Sequence, residues 1–217
     1  RATAMTEMKT MKTTRMGCWI VLALSLTGCA GNQVRSQGQE AALADVRARL
    51  AMGQCDTALT QQVQSLGEPA VLLEAAYQCL TLARLDVAQV LVDSYRQQGE
   101  AVSEADYAAY LAALIPYARF ELARGDSQLQ LQLGREAHAA LTGFVRAHPQ
   151  SGYRAEMVPR VQAVLEGMAR AEYDLAVLDQ ERGDLARAKA RMRYVQRGYP
   201  RSAAAADATA WLLDNQG

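Results

Sequence analysis

The chain has 217 residues, half of them hydrophobic, with 23 basic and 23 acidic side chains. That balance gives no general attraction to nucleic acid. With only 6% aromatic residues, five prolines and abundant alanine and leucine, there is little material for a β-rich fold. The composition predicts an all-α chain, long enough for one or two compact domains.

The first 28 residues read as an address. Met5, Met8, Met11 and Met16 are all candidate starts, and Lys9, Lys12 and Arg15 form a basic stretch. Cys18 to Leu26 is apolar but too short to span a bilayer comfortably. It runs into Leu26-Thr27-Gly28-Cys29, small residues before a cysteine. The order resembles a bacterial lipoprotein signal, in which the cysteine becomes the lipidated first residue. The plainer readings are an ordinary signal peptide or a membrane anchor. The pattern predicts a signal peptide over 1–28 and lipidation at Cys29. Several acyl chains would hold the protein stably at a membrane surface. Ala30, where an inner-membrane-retained protein would carry Asp, resembles sorting to the outer membrane in enteric-type bacteria. Residues 29–39 are polar, with two glycines, and predict a flexible tether. No later segment is long and apolar enough to cross a membrane.

Residues 40–217 then predict a chain of helices. The first spans Glu40 to Met52, with Ala42, Leu43, Val46 and Leu50 on one face. Cys55 to Leu66, Pro69 to Ala83 and Leu85 to Gln98 follow, separated by glycine or proline. Glu104 to Arg124 is a fifth, which Pro116 should kink. Gly125 to Leu133 reads as a polar insertion. Tyr153 to Arg182 is a long helix broken only by Pro159. Leu185 to Arg197 and Ala203 to Asp214 close the chain.

One stretch is used twice. In Ala137–Ser151 and Ala188–Ser202, Ala137 matches Ala188, Leu141 matches Met192, Phe144 matches Val195, Arg146 matches Arg197, Pro149 matches Pro200 and Ser151 matches Ser202. Each copy is a helix with one apolar stripe and a proline stop. A corner pattern also recurs: Gly53-x-Cys55-x-x-Ala58, Ala83-x-Leu85-x-x-Ala88 and Gly183-x-Leu185-x-x-Ala188. A small residue, an apolar residue and then alanine resembles the inter-helix corner of a tetratricopeptide repeat. The expected architecture is a right-handed solenoid of helical hairpins, with N-terminal repeats over 40–103 and C-terminal repeats over 104–217.

Within that frame a few residues invite a role. Cys55 and Cys79 are equidistant from the turn at Gly67, so antiparallel packing would bring the thiols together. They are either a disulfide in an oxidising compartment or two buried, unpaired cysteines. Arg187 and Arg191 stand at helical spacing, as do Lys189, Arg193 and Arg197. These basic stripes are a docking face for an acidic partner or lipid headgroups, or a solvated helix face. Residues 39–126 hold twelve acidic and six basic residues, an opposing polarity. His138 and His148 have no partners at ligand spacing, so no metal and no cofactor is expected. No phosphate loop, nucleophile elbow or zinc-protease motif occurs, so no catalytic residue is expected. Tyr107, Tyr110, Tyr117 and Phe120 recur on the fifth helix, as core packing or as a peptide groove.

Leu141–Tyr153, Ala169–Gly183 and Tyr194–Ser202 carry a wider resemblance. They resemble the BamD family of outer-membrane-protein assembly lipoproteins, most closely over residues 105–212. Glu172-Tyr173 and Arg182-Gly183 stand where that family has a Glu-Tyr pair and an Arg-Gly helix end, and His148 stands in place of an aromatic. The resemblance implies a scaffold without catalytic activity at the periplasmic face of the outer membrane. Its implied partners are the periplasmic domains of the barrel insertase, other assembly lipoproteins and unfolded outer-membrane proteins. The alternative is another helical-repeat lipoprotein, such as a pilus-secretin pilotin or a cell-wall-synthesis coordinator.

Overall fold

Polar side chains one residue ahead of an apolar run decide where the helices begin. The computed structural model describes residues 36–99 and 105–215. In these there are nine helices and no strand: α1 (Gln37–Ala51), α2 (Thr57–Leu66), α3 (Pro69–Thr81), α4 (Leu85–Arg96), α5 (Ala105–Leu122), α6 (Ser127–Ala147), α7 (Arg154–Glu181), α8 (Leu185–Gly198) and α9 (Ala203–Asp214). Ser36 and Gln39 form a capping box on α1. Asp56, Asp126 and Asp184 open α2, α6 and α8, each carboxylate accepting from a backbone N–H three residues on. A carboxylate there satisfies an orphan donor and meets the positive end of the helix dipole.

The recurring corner has a backbone reason. Gly53, Ala83 and Gly183 all have left-handed φ, at 75°, 58° and 85°. The chain turns there from one helix of a pair into the next. Glycine suits that conformation, and alanine is strained in it.

The repeated stripes are buried as a helical period requires: Ala137, Leu141 and Phe144 on α6, and Ala188, Met192 and Val195 on α8. Each helix packs against its neighbours in the chain. Arg119 near the end of α5 reaches Asp86 at the start of α4, 3.3 Å away, so that pair is antiparallel. The larger apolar core runs from Leu43 through Phe120 to Leu175. A smaller one joins Ala169 and Ala176 to Met192, Val195, Ala204, Ala205 and Ala208. Helix α7 belongs to both: Met157, Val164, Met168 and Leu175 face the first, and Ala169 and Ala176 face the second. All the described residues fall within one compact unit.

Four expectations change. Residues 37–39, read as the end of the tether, are the first turn of α1, because Ser36 and Gln39 cap it. Gly125–Leu133 is no insertion beyond its first two residues, since α6 starts at Ser127 and already buries Leu131. Pro159 does not break α7, which runs through it; the proline forfeits one backbone bond in the second turn, and the buried Met157 and Val164 anchor either side. Cys55 lies in the connection ahead of α2 rather than on that helix, and a disulfide joins it to Cys79 of α3, with Cα atoms 5.6 Å apart. The 1–28 signal, Cys29, the tether up to residue 35 and Glu104 lie outside the described residues.

Candidate docking surface

Helix α8 sorts its side chains by face. With Ala188, Met192 and Val195 turned to the core, Arg187 and Arg191 fall on one flank, the half-buried Lys189 on the other, and Arg193 and Arg197 on the exterior. These groups have different fates.

Asp179 of α7 is a charged side chain held inside, 6% exposed. Arg191 Nε donates to its Oδ2 at 2.8 Å, and the same guanidinium donates to Glu172 Oε2 at 2.7 Å. Arg187 Nε stands 3.4 Å from that Asp179 oxygen. A carboxylate withdrawn from water demands such partners, so two cations converge on it. Helical spacing alone places Arg191 on a docking stripe. Here it is spent on joining α7 to α8, and only Arg187 of this flank remains well exposed.

Arg193 and Arg197 are exposed, and Arg197 Nε donates to the Arg193 carbonyl at 3.3 Å. Among the described residues neither makes an ion pair. Arg193 and Lys189 border a surface hollow of about 400 Å³ between α8 and α9, whose far wall is Leu212 and Leu213. Leu213 is 61% exposed. Gln196 Nε2 donates to Thr209 Oγ1 at 2.7 Å across the hollow and fixes the two helices. Cations above an uncovered leucine can receive a surface that offers carboxylates around an apolar residue.

The aromatic residues of α5 belong to packing. Tyr110 and Phe120 are buried, and Tyr107 and Tyr117 are half-buried. Tyr110 stacks on Tyr153 at 4.5 Å and donates its hydroxyl to Glu156 Oε2 at 2.7 Å. Its phenol is pushed up to about 12, first by burial and then by that hydrogen bond. His148 caps α6 and stacks on Phe144 at 5.0 Å. Among the described residues no group of three His, Cys, Asp or Glu side chains is placed to hold a metal. No helix among them is long and apolar enough to cross a membrane.

Sequence spacing found the cations but not their division. Glu172 and Asp179, seven apart on α7, share a face and are the signal that separates Arg191 from Arg193.

Paired helices with an exposed basic and apolar flank have the make-up of a binding scaffold. Residues 31–216 match the YfiO family, outer membrane lipoprotein, and the chain belongs to this BamD-like family. It is a family of lipoprotein scaffolds rather than enzymes, whose partners lie in outer-membrane assembly.

Proposed function

We propose that this protein is a scaffold of the β-barrel assembly machinery, held at the periplasmic face of the outer membrane by acyl chains on Cys29. The family match over 31–216 carries this reading. In it, residues 1–28 are removed and residues 40–217 form a right-handed solenoid. The N-terminal repeats, 40–103, handle unfolded outer-membrane proteins. The C-terminal repeats, 104–217, receive the periplasmic domains of the barrel insertase. Arg193 and Arg197, with Arg187 beside them, meet acidic groups of that partner, while Leu213 offers the apolar contact.

The mechanism is positional. Cys29 and Ser36 are seven residue steps apart, so the tether reaches at most about 24 Å at about 3.4 Å per residue. The helical pairs are thereby kept near the leaflet where barrels insert. The Cys55–Cys79 bridge, formed in an oxidising compartment, locks the first hairpins against partial unfolding while they grip a non-native chain.

Two measurements test the proposal. Radiolabelled palmitate should enter the wild-type protein and not Cys29→Ala. Purification in mild detergent should bring the barrel insertase with the wild type, and Arg193→Glu/Arg197→Glu should lose it. Co-purification with a secretin and no insertase would overturn the proposal.

A further inference from the structure

The end of α6 and the start of α7 border an open groove of about 660 Å³, away from the α8–α9 hollow. Its walls are Val145 of α6 and Val158, Val161 and Leu165 of α7. Steps of three and four place these α7 residues in one stripe, beside the stripe that enters the core. Val158 is 56% exposed. Among the described residues no helix covers the stripe, and a contiguous uncovered apolar surface of this kind marks a contact site.

The charge around it has one sign. Arg146 of α6 and Arg201 of the α8–α9 turn line the groove, and among the described residues no carboxylate does. Among the described residues neither guanidinium is ion-paired; Arg146 Nε donates to the Thr142 carbonyl at 3.3 Å. Past Leu165 a second hollow of about 130 Å³ opens beside Tyr199 and Pro200. The two hollows share Gln162, Leu165 and Arg201. Gln162 is exposed there, and its side-chain amide has no hydrogen-bond partner among the described residues.

We propose that this double groove docks an extended peptide segment of a partner protein, with two apolar side chains flanked by carboxylates. The larger hollow takes the larger side chain and the smaller hollow the other. In an extended chain, alternate side chains share a face, so two apolar residues separated by an acidic one enter together. The carboxylates fall on the chain's other face, so Arg146 and Arg201 attract them through space rather than by direct hydrogen bonds. Gln162 decides between a peptide and an acyl chain. A peptide unit brings a donor and an acceptor to the amide between the hollows. An acyl chain would desolvate that amide and return nothing. The groove acts in this way whichever assembly the protein joins.

The test uses the full-length protein in phosphatidylcholine nanodiscs, with fluorescein-labelled peptides read by anisotropy. The probe is Asp-Phe-Glu-Leu-Asp, blocked at both ends, beside Lys-Phe-Arg-Leu-Lys and Asp-Ser-Glu-Ser-Asp. Saturable binding of the first alone, with a dissociation constant on the order of micromolar, is expected. Arg201→Glu and Val158→Asp should each weaken it by about tenfold or more. Both positions are exposed, and an unchanged melting temperature identifies the variants that have kept the fold. No binding, equal binding of the acidic and basic peptides, or binding that ignores Arg201→Glu overturns the proposal. So does palmitate binding that depends on Arg201 when the acidic peptide does not bind. Any of these results leaves the insertase co-purification to be decided by its own assay.

Discussion

Arg191 and Asp179 meet across the α7–α8 hairpin with Nε 2.8 Å from Oδ2, the carboxylate being almost wholly withdrawn from water. Removing the cation leaves that carboxylate with Arg187 at 3.4 Å as its remaining ion-pair partner. Arg191→Ala should therefore cost about 3 kcal/mol of stability, at the lower end of values for a broken buried pair. Arg193→Ala, on the exposed face, should change stability by no more than about 0.5 kcal/mol. Urea unfolding of the two variants checks the contrast. Adding both Asp179→Leu and Glu172→Leu to Arg191→Met should restore much of the loss, since an apolar set leaves no stranded charge.

Ala83 is the one corner residue of its kind with a Cβ, at φ 58°. A side chain in the left-handed region costs about 1–2 kcal/mol. Glycine relieves that strain but loosens the unfolded chain by about 0.4–1 kcal/mol. Ala83→Gly should thus raise stability by about 0.5–1 kcal/mol, seen as a higher denaturation midpoint at unchanged slope.

Close packing of α5 on α7 depends on a missing side chain. A methyl placed on Gly167 would stand 2.6 Å from Cζ of Phe120, itself 1% exposed. Overpacking of about 1–3 kcal/mol should exceed the roughly 1 kcal/mol that alanine gains in helix propensity. Gly134→Ala would meet Met168 Cγ at 2.6 Å. A thioether turns aside more easily than a ring, so this variant should lose less. Denaturation midpoints that rank the two in the reverse order would contradict this account.

The Cys55–Cys79 bridge spans a sequence separation of 24 residues. By chain entropy such a loop contributes about 3 kcal/mol against the reduced chain. Reductant should lower the melting temperature of the wild type and leave Cys55→Ser/Cys79→Ser unmoved.

Alkaline pH should loosen the fold through its tyrosines. Tyr110 is pushed up to about 12 by burial and by Glu156, and Tyr117 and Tyr199 are also raised, first by burial. The ordinary phenol titrates near 10. The native state therefore keeps protons that the unfolded chain releases. The stabilising contribution is complete below pH about 10 and is lost as pH rises towards 12. Melting curves between pH 8 and 12 should show this fall, and Tyr110→Phe should flatten it.

Much of the helical order was legible because apolar steps and punctuation agree. Ala137, Leu141 and Phe144 repeat as Ala188, Met192 and Val195, and each copy stops before proline. The start of α6 was missed because Gln128, Gln130 and Gln132 mask the stripe that begins at Leu131, and Gly134 resembles a breaker while serving as a point of close contact with Met168. The basic stripes of α8 were legible as stripes. Which cation stays free depends on Glu172 and Asp179 of another helix, and spacing along α8 holds no information about them. The α6–α7 groove is not legible in the sequence for a similar reason: Arg201 reaches it from a turn many residues away.

Helix α7 is a single rod of 28 residues, about 42 Å long at 1.5 Å per residue. Both apolar clusters are built on it. A force applied to α8 or α9 therefore reaches the first cluster through one continuous helix. A pull on the last hairpin is thus felt by the cluster built on the earlier helices.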